Sequence, residues 1–187
     1  MKILSKFLFF FTSFLGVISC KDEVLVKPSG RLSLKYAPAE YRYVSTPCPY
    51  SFEINNRAEL VQKEDCNFNI IYPEMKATLH LTYQKVGKDN LDSLLRDAQK
   101  LAYNHSIKAS SIPEQPFINP DSNVYGMFYM INGDAATHAG FYMTDSINHF
   151  LNGALYFAAK PNFDSVYPAV HYLREDIRHL IETIEWK

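Results

Sequence analysis

The densest cluster of reactive side chains in the sequence lies at residues 144–149 (TDSINH). Ser146, His149 and either Asp145 or Asp134 are the residue types of a nucleophile, a general base and the carboxylate that orients the base. The same run is typical of a turn between two strands, in which Asp145 and Ser146 bind backbone amides. Turn chemistry accounts for these residues without catalysis. We therefore predict a turn here and keep a Ser/His hydrolase as an alternative.

Histidine spacing indicates no metal site. The six histidines form no H-x-H or H-E-x-x-H pattern and no cluster with cysteine. His171, Glu175 and His179 are spaced by four residues, which suits Glu/His pairing on a solvated helix face better than a metal ion. No phosphate-binding loop, dinucleotide fingerprint or nucleophile elbow occurs. We predict no catalytic residue, no metal and no cofactor.

A lipidation signal is the most informative feature of the chain. Lys2 and Lys6 precede an apolar run at residues 7–17 (FLFFFTSFLGV), which is too short to span a bilayer and is typical of a secretory leader. Ser19 stands directly before Cys20, where cleavage is expected. We predict that Cys20 becomes the lipid-modified first residue of the mature protein. The alternative is an ordinary leader with a coincidental cysteine.

The residues after Cys20 carry the expected sorting signal. Lys21, Asp22 and Glu23 resemble the lysine-plus-acidic tag of some surface lipoproteins, and such addresses are read by receptors. A lysine rather than an aspartate directly after the cysteine permits passage to the outer membrane. We predict a lipid anchor in the outer membrane, and leave open whether the domain faces the periplasm or the cell surface.

Charge and length indicate one tethered globular domain. The whole chain has 19 basic and 20 acidic residues, and the leader removes two of the basic ones, so the mature protein is weakly acidic. A weakly acidic chain without a basic cluster argues against a nucleic-acid partner. No second apolar stretch is long enough to cross a bilayer, so the lipid is the only predicted membrane contact.

Two further cysteines, Cys48 and Cys66, lie in a chain that is expected to be exported to an oxidising compartment. Each precedes a strand-like run, YSFEI or FNIIY, so neighbouring strands would bring the sulfur atoms together. We favour a disulfide, which would contribute roughly 3 kcal/mol on the chain-entropy model. Two free thiols are the alternative.

The segment before Cys48 is predicted to be extended. Residues 31–44 (RLSLKYAPAEYRYV) alternate apolar and polar side chains, which favours an edge strand or an arm packed along the domain. Tyr36, Tyr41 and Tyr43 are candidates for a partner surface, although packing within the domain is the commoner fate of such side chains.

Strand and helix patterns alternate through the rest of the chain. Strands are predicted at residues 50–54, 68–72 and 78–83, followed by a helix capped by Asp89 or Asn90. The runs VYGMFYMI and GFYMTD flank an Asn-Gly turn and predict a hairpin. HFLNGALYFAAK predicts another strand, in which His149 and Asn152 are candidate interaction residues. A final helix, capped by Asp164 or Ser165, has one apolar stripe: Val166, Val170, Leu173, Ile177, Leu180 and Ile184.

Consecutive strands without helical crossovers favour an α+β fold, with a mainly antiparallel sheet covered by two main helices. The element order resembles the Mog1/PsbP-like sandwich. We predict a leader at residues 1–19, a lipidated cysteine, tether and extended arm at 20–47, and one globular domain at 48–187.

Four segments carry a family resemblance: KPSGRLSLKYAPAEYRY, KVGKDNLDSLLRDAQKLAYNHSIKA, VYGMFYMINGDAATHAGFY, and the run from TDSINHFLNGALYF to LIETIEW. The chain resembles the gliding motility lipoprotein GldD family of Bacteroidota over essentially its whole length. The resemblance implies a non-catalytic assembly or stabilising component. Its implied partners are other envelope proteins of gliding and type IX secretion. A small-ligand-binding lipoprotein is the alternative, and it requires an aromatic-lined pocket.

Overall fold

The computed structural model describes residues 34–104, 106–159 and 162–187. The predicted leader, the tether, Cys20 and the sorting residues Lys21, Asp22 and Glu23 lie outside the described residues. Within the described ranges, no helix has the length and apolar character needed to cross a membrane.

Two helices and twelve strands make up the described chain. In chain order they are β1 (Tyr41–Val44), β2 (Tyr50–Asn55), β3 (Glu59–Gln62), β4 (Phe68–Tyr72), β5 (Ala77–Lys85), α1 (Leu91–Tyr103), β6 (Ala109–Ser111), β7 (Glu114–Asn119), β8 (Val124–Met130), β9 (Asn132–Gly133), β10 (Thr137–Thr144), β11 (His149–Phe157), α2 (Phe163–Glu182) and β12 (Glu185–Trp186).

The main sheet has seven strands in the spatial order β3-β4-β5-β11-β10-β8-β7, and every neighbouring pair is antiparallel. A second sheet, β1-β2-β12, and a short pair, β6-β9, are also antiparallel. The predicted α+β class, with antiparallel strands and two helices, is therefore confirmed, and the arrangement is consistent with a sandwich.

Strand alternation assigns the two faces of the main sheet. Leu79 and Leu81 of β5 are buried, whereas His80 between them is exposed. Successive side chains of a strand point to opposite faces, so the leucines mark an inner face and His80 marks an outer face. The register places Leu155 of β11 opposite Leu79, which continues the inner face across the sheet.

The inner face is covered by α2 and by the small sheet. Leu173, Ile177 and Leu180 of α2 are buried in the main core together with Phe52 of β2, as the apolar stripe predicts. The predicted cap of this helix was wrong by two or three residues. Asn162 is the N-cap, and its side chain accepts a hydrogen bond from the amide of Ser165.

The outer face is partly covered by α1. Leu94, Leu95 and Ala98 of this helix pack against Val86 and Phe150 in a smaller core. Asn90 is at the N-cap as expected, but its side chain does not cap the helix. It accepts from the amide of Gly87 and donates to the Lys85 carbonyl, which ties the loop before the helix to the end of β5.

A disulfide joins Cys48 and Cys66, whose Cα atoms are 5.5 Å apart. It links the start of β2 to the turn that precedes β4, so it ties the small sheet to the main sheet. The Tyr50 hydroxyl donates to the Cys66 carbonyl at 2.7 Å and reinforces the same junction.

Replacing both cysteines with serine (Cys48→Ser with Cys66→Ser) is expected to lower the free energy of unfolding by roughly 3 kcal/mol, because the unfolded chain regains the freedom of a loop of 18 residues. Urea denaturation of the oxidised protein and the double variant measures this difference. Adding a reductant should shift the midpoint of the oxidised protein but not that of the variant. An unchanged midpoint in both comparisons would contradict the prediction.

Candidate interaction surface

The TDSINH run forms the turn between β10 and β11. One carboxylate oxygen of Asp145 accepts hydrogen bonds from the amides of Ile147 (3.0 Å), Asn148 (2.8 Å) and His149 (2.8 Å). Burial raises the pKa of the Asp145 carboxyl, but the bonds from these three amides outweigh burial and hold the pKa below its ordinary value. Asp145 therefore organises the turn, as its residue type predicts.

The three side chains proposed for a hydrolase are not assembled into a triad. The His149 ring lies between Tyr83, whose hydroxyl is 2.9 Å from its Nδ1, and Trp186, on which it stacks at 5.2 Å. Over the ranges that the structure describes, no hydrogen bond joins His149 to the Ser146 hydroxyl. Asp134 accepts from the amide of Phe163 and so stabilises the start of α2 instead.

The helical His/Glu series is engaged in pairs rather than gathered around a metal. His179 Nε2 lies 2.7 Å from a carboxylate oxygen of Glu53, and Glu175 pairs with Arg178. Among the described side chains, no group of three or more His, Cys, Asp or Glu residues is placed to hold a metal ion.

Two of the three arm tyrosines pack against the domain and the third is exposed. The Tyr41 ring stacks on His179 with 3.6 Å between centroids, and the Tyr36 ring lies 5.3 Å from that of Tyr172. These two tyrosines hold the arm against α2, and β1 forms the edge of the small sheet as the alternation indicates. Tyr43 is 54% exposed. Of the three candidates, Tyr43 is therefore the one that presents most of its ring to solvent.

A buried carboxylate lies beneath the arm. Asp176 of α2 is 3% exposed, and its two oxygens accept from the Tyr41 hydroxyl at 3.0 Å and from Asn55 Nδ2 at 2.8 Å. The buried Tyr72 of β4 also lies close to it. Burial raises the pKa of the Asp176 carboxyl, and these hydrogen bonds and the nearby His179 offset burial only in part.

The burial of Asp176 is not evident from the sequence, because this residue stands in the charged run REDIR on a side of the helix that looks solvent-exposed. Its position three residues after Leu173 and one before Ile177, both on the apolar stripe, is the signal that could have located it. The cluster joins β1, β2, β4 and α2, and it fixes the arm in place.

Asn152 faces a groove on the outer face, between α1 and β11. The groove has a cavity volume of about 10 Å³, room for about one water molecule. Small-molecule sites usually need several hundred Å³, so the dimensions of this groove do not fit a small-ligand-binding lipoprotein. Its walls are apolar and aromatic, with Ala98, Leu101, Ala102, Tyr129, Ala154 and Tyr156 among the lining residues.

Apolar side chains are exposed where α1 ends, next to this groove. Leu101 is 37% exposed, Tyr103 is 43% exposed and Ile107 is 89% exposed. We call these three residues the α1 corner. Exposed charged residues of both signs accompany them along the helix and the following loop: Asp92, Arg96, Asp97, Lys100 and Lys108. Clustered exposed apolar side chains with a polar rim are typical of protein contacts.

The α1 corner was not expected from the sequence. Leu101 belongs to the apolar face of an amphipathic pattern, which predicts burial. In the last turn of α1, Ala102 is buried whereas Leu101 beside it is partly exposed, and only the assembled fold shows this.

The fold and these surfaces define a single α+β domain of antiparallel strands and two helices, with an aromatic arm on one side and an exposed apolar corner on the other. The family model for the gliding motility lipoprotein GldD matches residues 21–186. The chain therefore belongs to the GldD family of gliding motility lipoproteins, as the sequence resemblance predicts. A lipoprotein is anchored to the cell envelope. No curated protein matches the chain.

Proposed function

We propose that this chain is a non-catalytic component that holds another envelope protein of the gliding and type IX secretion machinery at the outer membrane. Cys20 would provide the lipid anchor, and the sorting residues that follow it would direct the protein to that membrane. The domain would then act by surface contact. Family membership supports the link to gliding.

The observation that carries the proposal is the α1 corner. Ile107 presents nearly its whole side chain to water, and Leu101 and Tyr103 near the end of α1 are partly exposed. Hydrophobic burial contributes roughly 25 cal/mol per Å² of apolar surface, so covering this cluster with a partner is favourable.

The local chemistry supports a role without catalysis. The polar residues of the TDSINH turn are engaged in hydrogen bonds that shape the turn, and His149 is held between Tyr83 and Trp186. Thr144, Asp145 and His149 each have a structural partner that accounts for the residue type, and Ser146 takes part in the turn through its amide, which donates to Thr144.

Placing an aspartate at the corner (Ile107→Asp) is expected to abolish gliding and co-purification of the partner, while protein level and thermal stability stay unchanged. The reason is that Ile107 is 89% exposed, so the folded domain tolerates the charge and a desolvated interface does not. Colony spreading, affinity capture from intact cells and thermal melts measure the three quantities.

The matched control is Ile147→Asp. Ile147 is another exposed isoleucine, at the tip of the β10–β11 turn, and it lies outside the corner. Cells that carry Ile147→Asp should glide normally. Normal gliding of the corner variant, or equal loss in both variants, would count against the α1 corner as the contact surface.

A further inference from the structure

The strand β7 forms one edge of the main sheet. It pairs antiparallel with β8 in one continuous register, and the Met130 amide donates to the Pro113 carbonyl at 2.9 Å where this ladder begins. Opposed residues of an antiparallel pair alternate between hydrogen-bonded and non-hydrogen-bonded pairs. Counting from that bond along the register, Glu114, Pro116 and Ile118 direct their backbone groups away from β8.

These outward backbone groups form a row that another strand could bind. The row consists of the amides of Glu114 and Ile118 and the carbonyls of all three residues, because Pro116 has no amide proton. Within the part of the chain that the structure describes, no hydrogen bond uses any of these groups. The Ile118 side chain is also 72% exposed. A row of exposed donors and acceptors on an edge strand is a template for pairing with a further strand.

A groove beside β7 suits the side chains of such a strand. It has a cavity volume of about 20 Å³, which has room for a water molecule or a small apolar group. Phe117 of β7 and Ile181 of α2 are among its apolar lining residues, together with the polar side chains of Arg178 and Glu182. Phe117 packs against the main core, so the groove opens on the inner face of the sheet. Side chains of a strand alternate between the two faces, so every second side chain of an added strand would point toward this groove.

Pro116 argues against a second copy of this chain as the source of the added strand. The longest two-fold pairing of β7 with itself is centred on Pro116, and it sets two prolines opposite each other with no amide to donate. The same pairing sets the charged Glu114 of each copy opposite the apolar Ile118 of the other. An extended segment of a different protein has neither defect, because its residue opposite Pro116 can donate an amide to the Pro116 carbonyl.

We propose that β7 is a strand-addition site, at which an extended segment of the envelope partner pairs with Glu114, Pro116 and Ile118 and adds a strand to the main sheet. In this mode of recognition the main-chain hydrogen bonds provide affinity and pockets for alternate side chains provide specificity. The site adjoins the α1 corner, because the Tyr103 hydroxyl donates to the Glu114 carboxylate. The inference rests on the proposed function for the existence of a protein partner, and it adds the conformation of the segment that binds.

The test separates the backbone from the side chain at residue 118. Ile118→Pro removes an outward amide and leaves the hydrogen bonds between β7 and β8 in place, because this amide does not bond to β8. Ile118→Val is the matched control, since valine keeps the amide and has an apolar side chain close in size to proline. Glu114→Pro, with Glu114→Ala as its control, tests the other outward amide, so the result does not depend on one variant. Thermal melts select the variants that fold as the wild type does.

The probe is a library of random peptides of about ten residues, the length of a long strand, displayed on phage and selected on the full mature chain. We expect the selected peptides to bind Ile118→Pro about five- to tenfold more weakly than the wild type, because one main-chain hydrogen bond is lost. Binding to Ile118→Val should stay within about twofold of the wild type. Bound peptide should also slow hydrogen exchange of the Glu114 and Ile118 amides, and leave the amides of β3, the other edge strand, unchanged.

Three results would overturn the strand-addition site: no peptide is selected, the peptides bind the proline and control variants equally, or the two outward amides exchange as fast with peptide as without. Sedimentation equilibrium tests the source of the strand. We expect a monomer, and a dimer that is lost in Ile118→Pro would show that a second copy occupies β7 instead.

Gliding distinguishes failure of this inference from failure of the proposed function. Cells that carry Ile118→Pro should not glide, whereas Ile118→Val cells should glide normally. If Ile107→Asp cells glide normally while peptides bind β7 as expected, the α1 corner alone is wrong. If Ile107→Asp abolishes gliding while Ile118→Pro cells glide and peptide binding ignores the outward amides, the strand-addition site alone is wrong.

Discussion

Replacing Gly153 with alanine is expected to lower the free energy of unfolding by about 3 kcal/mol. Gly153 of β11 pairs directly with Phe141 of β10, and the Phe141 ring lies across it. A Cβ at Gly153 would stand 2.2 Å from Phe141 Cε1 and 2.4 Å from Cζ. Phe141 is fully buried in the close-packed inner core, so its ring cannot move away without displacing other core side chains.

Gly140→Ala is the matched control, because Gly140 lies in the same strand pair. A Cβ there would meet only the Gly153 carbonyl oxygen, at an ordinary distance of 3.6 Å. Its effect should be close to zero or slightly stabilising, since alanine restricts the unfolded chain. Urea denaturation followed by circular dichroism measures both variants, with comparison of midpoints at equal slope.

A second substitution tests whether the clash with the Phe141 ring causes the loss of stability. Phe141→Leu shortens the side chain that would collide, so the double variant with Gly153→Ala should lose less stability than the sum of the two single changes. Strict additivity, or a wild-type midpoint for Gly153→Ala, would show that the ring does not lie across Gly153.

Asp176→Ala is the second large prediction, and we expect a loss of about 3 kcal/mol. Removing the carboxylate leaves the Tyr41 hydroxyl and the Asn55 amide without their acceptor in a buried site. Each unsatisfied buried donor costs about 1–3 kcal/mol, and partial relaxation or water entry offsets some of the total. Thermal and urea unfolding give the size of the loss.

Asp176→Asn separates charge from hydrogen bonding. Asparagine keeps the size of the side chain but places an NH₂ group against the Asn55 donor, so this variant should also be less stable. Because burial raises the folded-state pKa of Asp176 above 3.8, the folded protein binds this proton more tightly than the unfolded chain does. The contribution of Asp176 to stability is therefore greatest at low pH and falls as pH rises from 3.8 through the folded pKa.

The stability advantage of the wild type over Asp176→Asn should consequently be larger near pH 4 than near pH 7. Asp145→Asn is the control with the opposite sign, because the amide hydrogen bonds lower the pKa of Asp145. Its advantage should be present at neutral pH and disappear as pH falls below 3.8 through the folded pKa. Urea midpoints of the wild type and both variants, measured between pH 3 and pH 7 at intervals of about one unit, test these pH dependences. If neither variant's difference from the wild type changes with pH, the pKa directions given for Asp176 and Asp145 are both wrong.

Much of the fold could be predicted from local pattern. The strand at residues 68–72 has the predicted bounds, and β8 and β10 pair as the predicted hairpin. The turn predicted at Asn132 and Gly133 is wrong, because these residues form β9 and pair with β6. Strand alternation repeats every two residues and a helix stripe every three or four, so a short stretch of sequence carries the signal. Asp145 was likewise predictable, because a turn aspartate binds amides only two to four residues away.

The candidate site was less predictable, because its contacts join distant parts of the chain. Asp176 accepts hydrogen bonds from Tyr41, which lies 135 positions earlier in the chain, and from Asn55, which lies 121 positions earlier. The contacts of His149 with Tyr83 and Trp186 likewise join residues that are far apart in the sequence. Periodicity reports which face of an element is apolar, but it does not report which distant element covers that face.

The sequence by itself determined the class of fold, the order of the elements and the family. It also contains the predicted lipidation signal, which an enzyme recognises as a linear segment. Tertiary structure decided which tyrosines hold the arm and which one is exposed, why Asp176 is buried, and that Leu101 of α1 is partly exposed while Ile107 after it is almost fully exposed. The physical reason is that burial depends on how far one layer extends over another, and this becomes defined only when helices and sheets pack together.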